Sequence, residues 1–304
     1  MLANAALAVL TTLSRPTLGV FRGVDAVAGD VNRNQLLAFA AAGVIVRKLP
    51  DVYRMTVVTT SAEQRLVAAL LWAGQDAVAA ARSAAEMYGI EGVRAPRPEI
   101  VVPSSRFLRS PTVSVERHQN FDELMVRTHR GMRVTGVEAT VVALASLLEA
   151  EAFEIACEDA RRRRLTTVPA LRAYLERFAR RRMPGVRVTR ALLDGLDPIH
   201  PARSTLEVKT RRLLVAHGIT DFVREFPLTW NGRTYLYDFG FASRRAILET
   251  NGRRWHDDPA DYEHDHEKWS VPGRLGYRIV LATWTKVTRD PHALLAELTA
   301  TLAA

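Results

Sequence analysis

Two carboxylates in the last third of the chain lie where they could share one divalent cation. Asp238 lies in the strand-like stretch Thr234–Phe241, and Glu249 lies near the end of the next one, Arg245–Asn251. An acid that follows Ala-Ile-Leu, as Glu249 does, is hard to explain by structure alone. Mg²⁺ is commonly held by one or two carboxylates and several waters. Mg²⁺ or Mn²⁺ bound here would activate a water and stabilise charge developing on a phosphodiester.

Three further residues complete the candidate catalytic set. Glu249 and Asn251 are two apart on a strand, so they face the same side of the predicted sheet. His256 follows the turn after Asn251, where it could transfer a proton or hold a substrate phosphate. Glu207 begins the same region of the chain and is the third acid of the candidate set.

Structural roles compete for two of these acids. Ser204-Thr-Leu-Glu207 is a capping box, with serine at the N-cap and glutamate three residues later, and this role alone would account for Glu207. Asp238 could instead be a strand acid that is paired with Arg233 or Arg253. Both interpretations remain open from the sequence.

The elements that must position these acids follow from the pattern of residues 204–304. The predicted order is helix, three strands, helix, strand, helix, which is typical of a layered α/β domain. The predicted elements are Thr205–His217, Val223–Trp230, Thr234–Phe241, Arg245–Asn251, Pro259–Val271, Arg278–Ala282 and Pro291–Leu302.

A set of spaced motifs runs through the same hundred residues. They are Ser204–Glu207, Tyr237–Phe239, Glu249–His256, Asp265, Gly276–Tyr277 and Trp284. Together they resemble an uncharacterised nuclease-like family related to the very short patch repair endonucleases, in which a histidine follows a glycine by four residues, as His256 follows Gly252. The resemblance implies a PD-(D/E)XK fold of the restriction-endonuclease type, with Asp238 and Glu249 as metal ligands and Glu207 supporting them.

Two positions depart from that family's pattern. Asn251 stands where the family usually has aspartate, or where lysine stands in the wider superfamily. An asparagine can orient a water but cannot take its proton at neutral pH. Leu281 stands where an arginine is common. Both departures concern catalysis and leave the expected fold unchanged.

Residues 1–60 predict a winged helix-turn-helix domain, whose third helix would enter a major groove. The predicted elements are helices Ala5–Leu13, Arg22–Ala28 and Asn32–Ala42, and strands Val44–Arg47 and Val52–Thr59. The residues predicted to contact DNA are Arg33, Asn34 and Gln35 in the third helix and Arg47 and Lys48 in the wing. Asn32 is predicted to cap the helix.

Residues 61–203 mix predicted helices and strands and carry most of the basic excess. Residues 161–190 hold eleven arginines and one acid, whereas the net charge of the whole chain is +9. This segment, which includes Arg161, Arg162, Arg163 and Arg164, predicts contact with nucleic acid. A solvated arginine-rich helical surface would explain the same composition.

The first 200 residues also resemble, more loosely, the antitoxin of AbiE-type abortive-infection systems. The matching stretches are Val52–Arg54, Arg82–Gly89 and Val134–Thr135. The resemblance implies a repressor that binds its own promoter, carries a second α/β domain and has a cognate toxin as its partner.

The single cysteine, Cys157, excludes a disulfide within the chain and a cysteine zinc site, and fits a reducing cytoplasm. The apolar N-terminus lacks leading positive charges and predicts a short helix rather than a signal segment. No apolar stretch is long enough to predict a membrane span.

Two hypotheses follow. The first is a DNA-binding protein with a Mg²⁺-dependent endonuclease domain, acting in phage defence or beside a toxin. The second is an antitoxin-like transcriptional repressor whose nuclease domain is catalytically degenerate. Asn251 favours the second hypothesis, and the Asp238–Glu249 pair favours the first.

Overall fold

The computed structural model describes residues 2–251 and 259–304, with side chains from residue 4 onward except those of residues 259–266. The described residues form helices and mixed sheets, so the chain is of the α/β class, as predicted. They divide into two compact units, Met1–Pro201 and Ala202–Ala304.

The N-terminal part of the first unit has three helices and a small antiparallel sheet. Its elements are α1 (Leu2–Ser14), β1 (Val20–Arg22), α2 (Gly23–Ala28), α3 (Arg33–Ala41), β2 (Ile45–Leu49) and β3 (Val52–Met55). The sheet order is β1-β3-β2, so it has three strands where the sequence predicted two. The extra strand is only three residues long, too short for a clear alternating pattern.

The rest of the first unit surrounds a five-stranded mixed sheet of order β6-β5-β4-β8-β7. Its elements are α4 (Ala62–Ala73), β4 (Val78–Ala79), α5 (Ala81–Met87), β5 (Glu99–Pro103), β6 (Ser114–His118), β7 (Arg127–His129), β8 (Met132–Val134), α6 (Val137–Leu144), α7 (Ala150–Arg162), α8 (Val168–Phe178) and α9 (Val186–Gly195). Val20, Leu49 and Val52 of the N-terminal part belong to the same buried core as α4. The two parts of this unit therefore share packing across residue 60.

Cys157 is buried on α7, and burial raises the pKa of its thiol to about 12. This thiol is therefore protonated and unreactive at neutral pH. Within residues 2–251 and 259–304, no helix has the length and apolarity needed to cross a bilayer.

The second unit is a four-stranded sheet with helices on both faces. Its elements are α10 (Thr205–Ala216), β9 (Val223–Trp230), β10 (Arg233–Phe241), β11 (Ala246–Asn251), α11 (Pro259–Arg274), β12 (Arg278–Thr283), α12 (Trp284–Thr288) and α13 (Pro291–Ala303). The sheet order is β12-β11-β10-β9; β9, β10 and β11 are antiparallel, and β12 runs parallel to β11. The predicted helices and strands of this region are confirmed, and α12 is added to them.

Two cores cover the two faces of this sheet. One packs against α10 and α13, and the other packs against α11. Strand β10 contributes Tyr235 and Tyr237 to the second core but Phe239 and Phe241 to the first. Because residues two apart on a regular strand share a face, this change marks an irregularity at Asp238.

Gly240 fixes the close approach of β9 to β10 beside this irregularity. A Cβ at this position would lie 2.0 Å from Cγ of Phe226, so a larger residue would force the two strands apart. The irregularity and this close contact together set the positions of the acids on β10 and β11.

Candidate functional site

The strands β10 and β11 separate at the two carboxylates. Their paired register covers Phe239–Phe241 and Ala246–Leu248. Beyond it, the backbone N–H of Asp238 donates to Glu249 Oε2 at 2.8 Å, and the N–H of Thr250 donates to Asp238 Oδ2 at 2.8 Å. Each acid thus replaces a ladder hydrogen bond of the opposite strand, and both carboxylates are held at the point where the sheet opens.

Lys268 of α11 brings a positive charge to this opening. Its ammonium group forms an ion pair with Glu249 Oε1, and Glu249 itself is only 5% exposed. The position of Lys268 is fixed from the other side, since the Tyr237 hydroxyl donates to the Lys268 carbonyl oxygen at 2.6 Å. The Lys268 ammonium also lies 5.2 Å from the centroid of the Tyr237 ring.

Glu207 lies at the start of α10 and is 2% exposed. The Ser204 hydroxyl accepts the Glu207 N–H at 3.1 Å, which is the N-cap part of the predicted capping box. The Glu207 carboxylate accepts the N–H of Arg203 at 2.6 Å and the Arg224 guanidinium at 2.8 Å. Glu207 therefore joins the helix start to β9. Its carboxylate accepts the N–H of Arg203, one residue before the N-cap, so this bond differs from the second bond of the predicted capping box.

The three acids are electrostatically connected. Burial is the main cause that raises the pKa of Glu207, and the charge of Asp238 adds to it while Arg224 opposes it. Burial likewise raises the pKa of Glu249, again with Asp238 adding and with Lys268 opposing. Asp238 thus repels both Glu207 and Glu249, and Arg224 and Lys268 offset part of this repulsion. A further cation bound near Asp238 would reduce it more.

This donor set suits a partly hydrated Mg²⁺ or Mn²⁺ ion. Among the described side chains, those of residues 4–251 and 267–304, no group of three or more His, Cys, Asp or Glu is placed to hold a metal ion. Asp238 and Glu249 supply oxygen atoms from adjacent strands. A carboxylate offers about four lone-pair sites, and Thr250 takes two of those on Asp238. Mg²⁺ commonly keeps several waters and takes one or two carboxylates, so these two residues fit it.

The other residues predicted for this site are Asn251, His256 and the two arginines considered as partners of Asp238. Asn251 is exposed at the end of β11, opposite Thr283 of β12 in the parallel register. Arg233 pairs with Glu267 at 3.1 Å, whereas Asp238 accepts the hydroxyl and N–H of Thr250. His256 and Arg253 lie outside the described residues.

Sequence reasoning missed Lys268, Arg224 and Thr250. Lys268 follows Glu249 by 19 residues and lies on a helix, so no strand spacing could connect the two. Arg224 contacts an acid 17 residues earlier, across a helix and a loop. The one available signal was chemical, because a buried acid requires a nearby donor or cation.

The predicted recognition helix shows one capping pair and an exposed start. Asn32 and Gln35 form a complete capping box, with both hydrogen bonds at 2.9 Å. The Oε1 atom of Gln35 thus has a structural partner, and the contact of Gln35 with DNA stays a prediction. Arg33 and Asn34 are exposed at the start of α3. Arg47 and Lys48 are exposed on β2, and the Arg47 Nε donates to the Leu49 carbonyl oxygen at 3.4 Å.

Arg161 is buried, which is not compatible with its predicted contact with nucleic acid. Its guanidinium donates to Glu158 Oε2 at 2.6 Å and to the carbonyl oxygen of Asp197. Both Arg161 and Glu158 are almost fully shielded from solvent. Arg161 therefore fastens the end of α7 to the segment after α9.

Arg162 and Arg163 are also engaged within the chain. Arg162 lies 2.5 Å from Asp159 and 2.9 Å from Glu91, and Arg163 lies 3.6 Å from Asp159. Arg164 is exposed and adopts a left-handed backbone conformation, with φ of 57°. Of the four consecutive arginines, Arg163 and Arg164 are exposed.

No known protein family and no curated protein matches this sequence. A solved structure, the crystal structure of the RV2827C protein from Mycobacterium tuberculosis, is similar to it at 18% sequence identity and a TM-score of 0.47. The similarity covers 67% of this chain and 80% of that one. At that level it assigns neither a family nor an activity to the chain.

Proposed function

We propose that this protein is a DNA-binding, metal-dependent endonuclease whose catalytic residues lie in the second unit. The observation that carries the proposal is the pair Asp238 and Glu249 at the opening of the sheet, with Lys268 bound to Glu249. Two carboxylates can hold the metal ion that metal-assisted phosphodiester hydrolysis uses. A nearby ammonium can stabilise negative charge on the phosphate. The mixed four-stranded sheet with α10 and α11 on its faces supports the PD-(D/E)XK expectation.

Each residue would have a distinct role. Asp238 and Glu249 would hold Mg²⁺ or Mn²⁺, which when bound supplies Lewis-acid activation of a water. Lys268 would orient that water and stabilise negative charge on the phosphate, since its ammonium is a donor on the Glu249 side of the opening. Asn251 would orient water, and Glu207 would position Asp238 through the start of α10. The expected role of His256 in proton transfer remains part of this proposal.

A cleavage assay on supercoiled plasmid with the full-length protein tests the proposal. We expect nicking or linearisation with Mg²⁺ or Mn²⁺ and its loss with EDTA. Asp238→Asn should lower the rate at least about a hundredfold, because a lost metal ligand costs several kcal/mol of transition-state stabilisation. Asp221→Asn is the matched control, since Asp221 is an exposed acid before β9. Equal cleavage by wild type and Asp238→Asn would contradict the proposal.

A transcriptional repressor with a degenerate nuclease domain is the second candidate. The observation that favours it is that the Asp238 and Glu249 carboxylates already replace backbone hydrogen bonds of the sheet, which is a structural role without metal. DNA affinity would then come from Arg33 and Asn34, with a cognate toxin as partner.

Binding of the protein to its own upstream DNA separates this candidate from the first. Arg33→Ala should weaken specific binding by about 1–3 kcal/mol if Arg33 reads a base edge. Arg94→Ala is the control, since Arg94 is a largely exposed arginine of the other part of the unit. Tight promoter binding that depends on Arg33, with no metal-dependent cutting, would favour the repressor. Unchanged affinity in Arg33→Ala would exclude α3 as the recognition helix.

A further inference from the structure

The first unit contains a cavity of about 650 Å³ that the endonuclease proposal does not use. Its apolar wall includes Val101 of β5, Val142 of α6 and Leu124, which precedes β7. The opposite side is formed by Arg117 and His118 at the end of β6 and by the loop Arg180–Pro184 between α8 and α9. The volume is in the range of sites that bind small molecules of nucleotide size.

A histidine of this cavity has an unsatisfied ring nitrogen. The Nε2 atom of His118 lies 3.6 Å from Glu123 Oε2. Its Nδ1 atom is buried and has no hydrogen-bond partner among the residues that the structure describes. Buried polar atoms are nearly always satisfied by protein, water or ligand. His118 belongs to the lining of the cavity, but its Nδ1 atom has almost no accessible surface and therefore does not face the open space.

The positive charges of the cavity exceed its negative charges. Glu123 already has Arg180 at 2.6 Å and the Asn120 side-chain amide at 3.2 Å as partners. The side chains of Arg181 and Arg182 line the cavity, are exposed and form no ion pair within the described part of the chain. The guanidinium of Arg117 lies 4.4 Å from the centroid of the Phe107 ring. Beyond Glu123, Glu116 is the other acid in the lining.

We propose that this cavity binds a small phosphorylated ligand of the nucleotide class. Arg181 and Arg182 both line the cavity. Their forked donors match the oxygen geometry of a phosphate, and their two charges suit its double charge. The wall of Val101, Leu124 and Val142 provides an apolar surface for the uncharged body of the ligand.

Isothermal titration calorimetry of the full-length protein tests the site. The ligands are ATP, AMP, pyrophosphate, inorganic phosphate and adenosine, without divalent cations so that the carboxylates of the second unit do not contribute. We expect the phosphorylated compounds to bind and adenosine not to bind. Tighter binding of nucleotides than of pyrophosphate identifies a nucleotide site. Equal binding of pyrophosphate and ATP means that the phosphate alone is recognised, and this overturns the role of the apolar wall.

The double variant Arg181→Ala/Arg182→Ala should bind the same ligands at least about tenfold more weakly, because two charge-assisted contacts are lost. The matched control is Arg187→Ala/Arg190→Ala, which removes two exposed arginines from the adjacent helix α9 and the same net charge. Absence of binding by all phosphorylated compounds, or equal weakening in the two double variants, would overturn the proposal.

Discussion

The carboxylates of the second unit and the arginine-rich segment of the first differ in how distance along the sequence relates to proximity in the fold. Glu207, Asp238 and Glu249 are far apart in sequence, yet the fold brings them within electrostatic reach of one another. The arginines of residues 161–190 are close in sequence, yet the fold separates them. Arg161 is buried against Glu158, whereas Arg181 lines a cavity.

This difference depends on which side chains are buried and on whether an oppositely charged side chain lies close enough to pair with them. A buried charge must be paired, and the acids Glu158 and Asp159 on α7 pair with the arginines that follow them on the same helix. Arg180 pairs with Glu123, and Arg181 and Arg182 form no ion pair in the described part of the chain. A run of like charges in a sequence is therefore not evidence of one binding surface.

The separation of the arginines is tested most strongly by Arg161→Ala. We expect it to lower the free energy of unfolding of the first unit by about 3–5 kcal/mol, because the buried ion pair between Arg161 and Glu158 would be broken. Chemical denaturation followed by circular dichroism measures the change. Arg164→Ala, the control in the same run, should stay within about 0.5 kcal/mol of wild type. Equal effects of both changes would mean that the run behaves as one surface.

Lys268 forms an ion pair with Glu249 at the opening where the acids lie, so Lys268→Ala tests the proposed function of this site. We expect a loss of about a hundredfold in the rate of metal-dependent cleavage, since a preorganised cationic donor near the phosphate is removed. Lys286→Ala is a close control, because Lys286 forms an ion pair with Glu297 in the same unit. Cleavage by Lys268→Ala at the rate of Lys286→Ala would show that Lys268 has only a structural role.

The smallest expected effect is a dependence of stability on pH. Because the pKa values of Glu207 and Glu249 are raised in the folded state, their contribution to stability is present below the ordinary glutamate pKa. It is lost as the pH rises through the raised values. Without metal, the melting temperature should therefore fall across this range, and Mg²⁺ should restore it more at the upper end.

Thermal unfolding with and without Mg²⁺ measures this dependence. Glu249→Gln should reduce both the fall in melting temperature and its restoration by Mg²⁺. A melting temperature that rises through this pH range without metal would contradict the electrostatic description of the three acids.

Much of the second unit could be predicted from its sequence. Strand β9 has the predicted bounds Val223–Trp230, and the capping role of Ser204 is confirmed by its hydrogen bond to Glu207. These features depend on local patterns of two to eight residues. The pairing of Lys268 with Glu249 depends on how α11 packs on the sheet, and local patterns contain no information on that packing.

In the first unit, too, local contacts could be predicted from the sequence and contacts between distant segments could not. The capping of α3 by Asn32 could be predicted because it spans three residues. The partner of Arg161 on its own helix lies three residues earlier, but its burial depends on the segment at Asp197, which is 36 residues away. Composition alone indicated a basic surface and could not separate internal arginines from exposed ones.

The central claim, that Asp238 and Glu249 hold a divalent cation, is tested most directly by Mn²⁺ titration followed by electron paramagnetic resonance. The account predicts one Mn²⁺ site on the wild-type protein and on Glu297→Gln, a control glutamate that is also paired with a lysine. Glu249→Gln should lose this site or bind Mn²⁺ far more weakly. Equal Mn²⁺ binding by all three proteins, or none by the wild type, would contradict it.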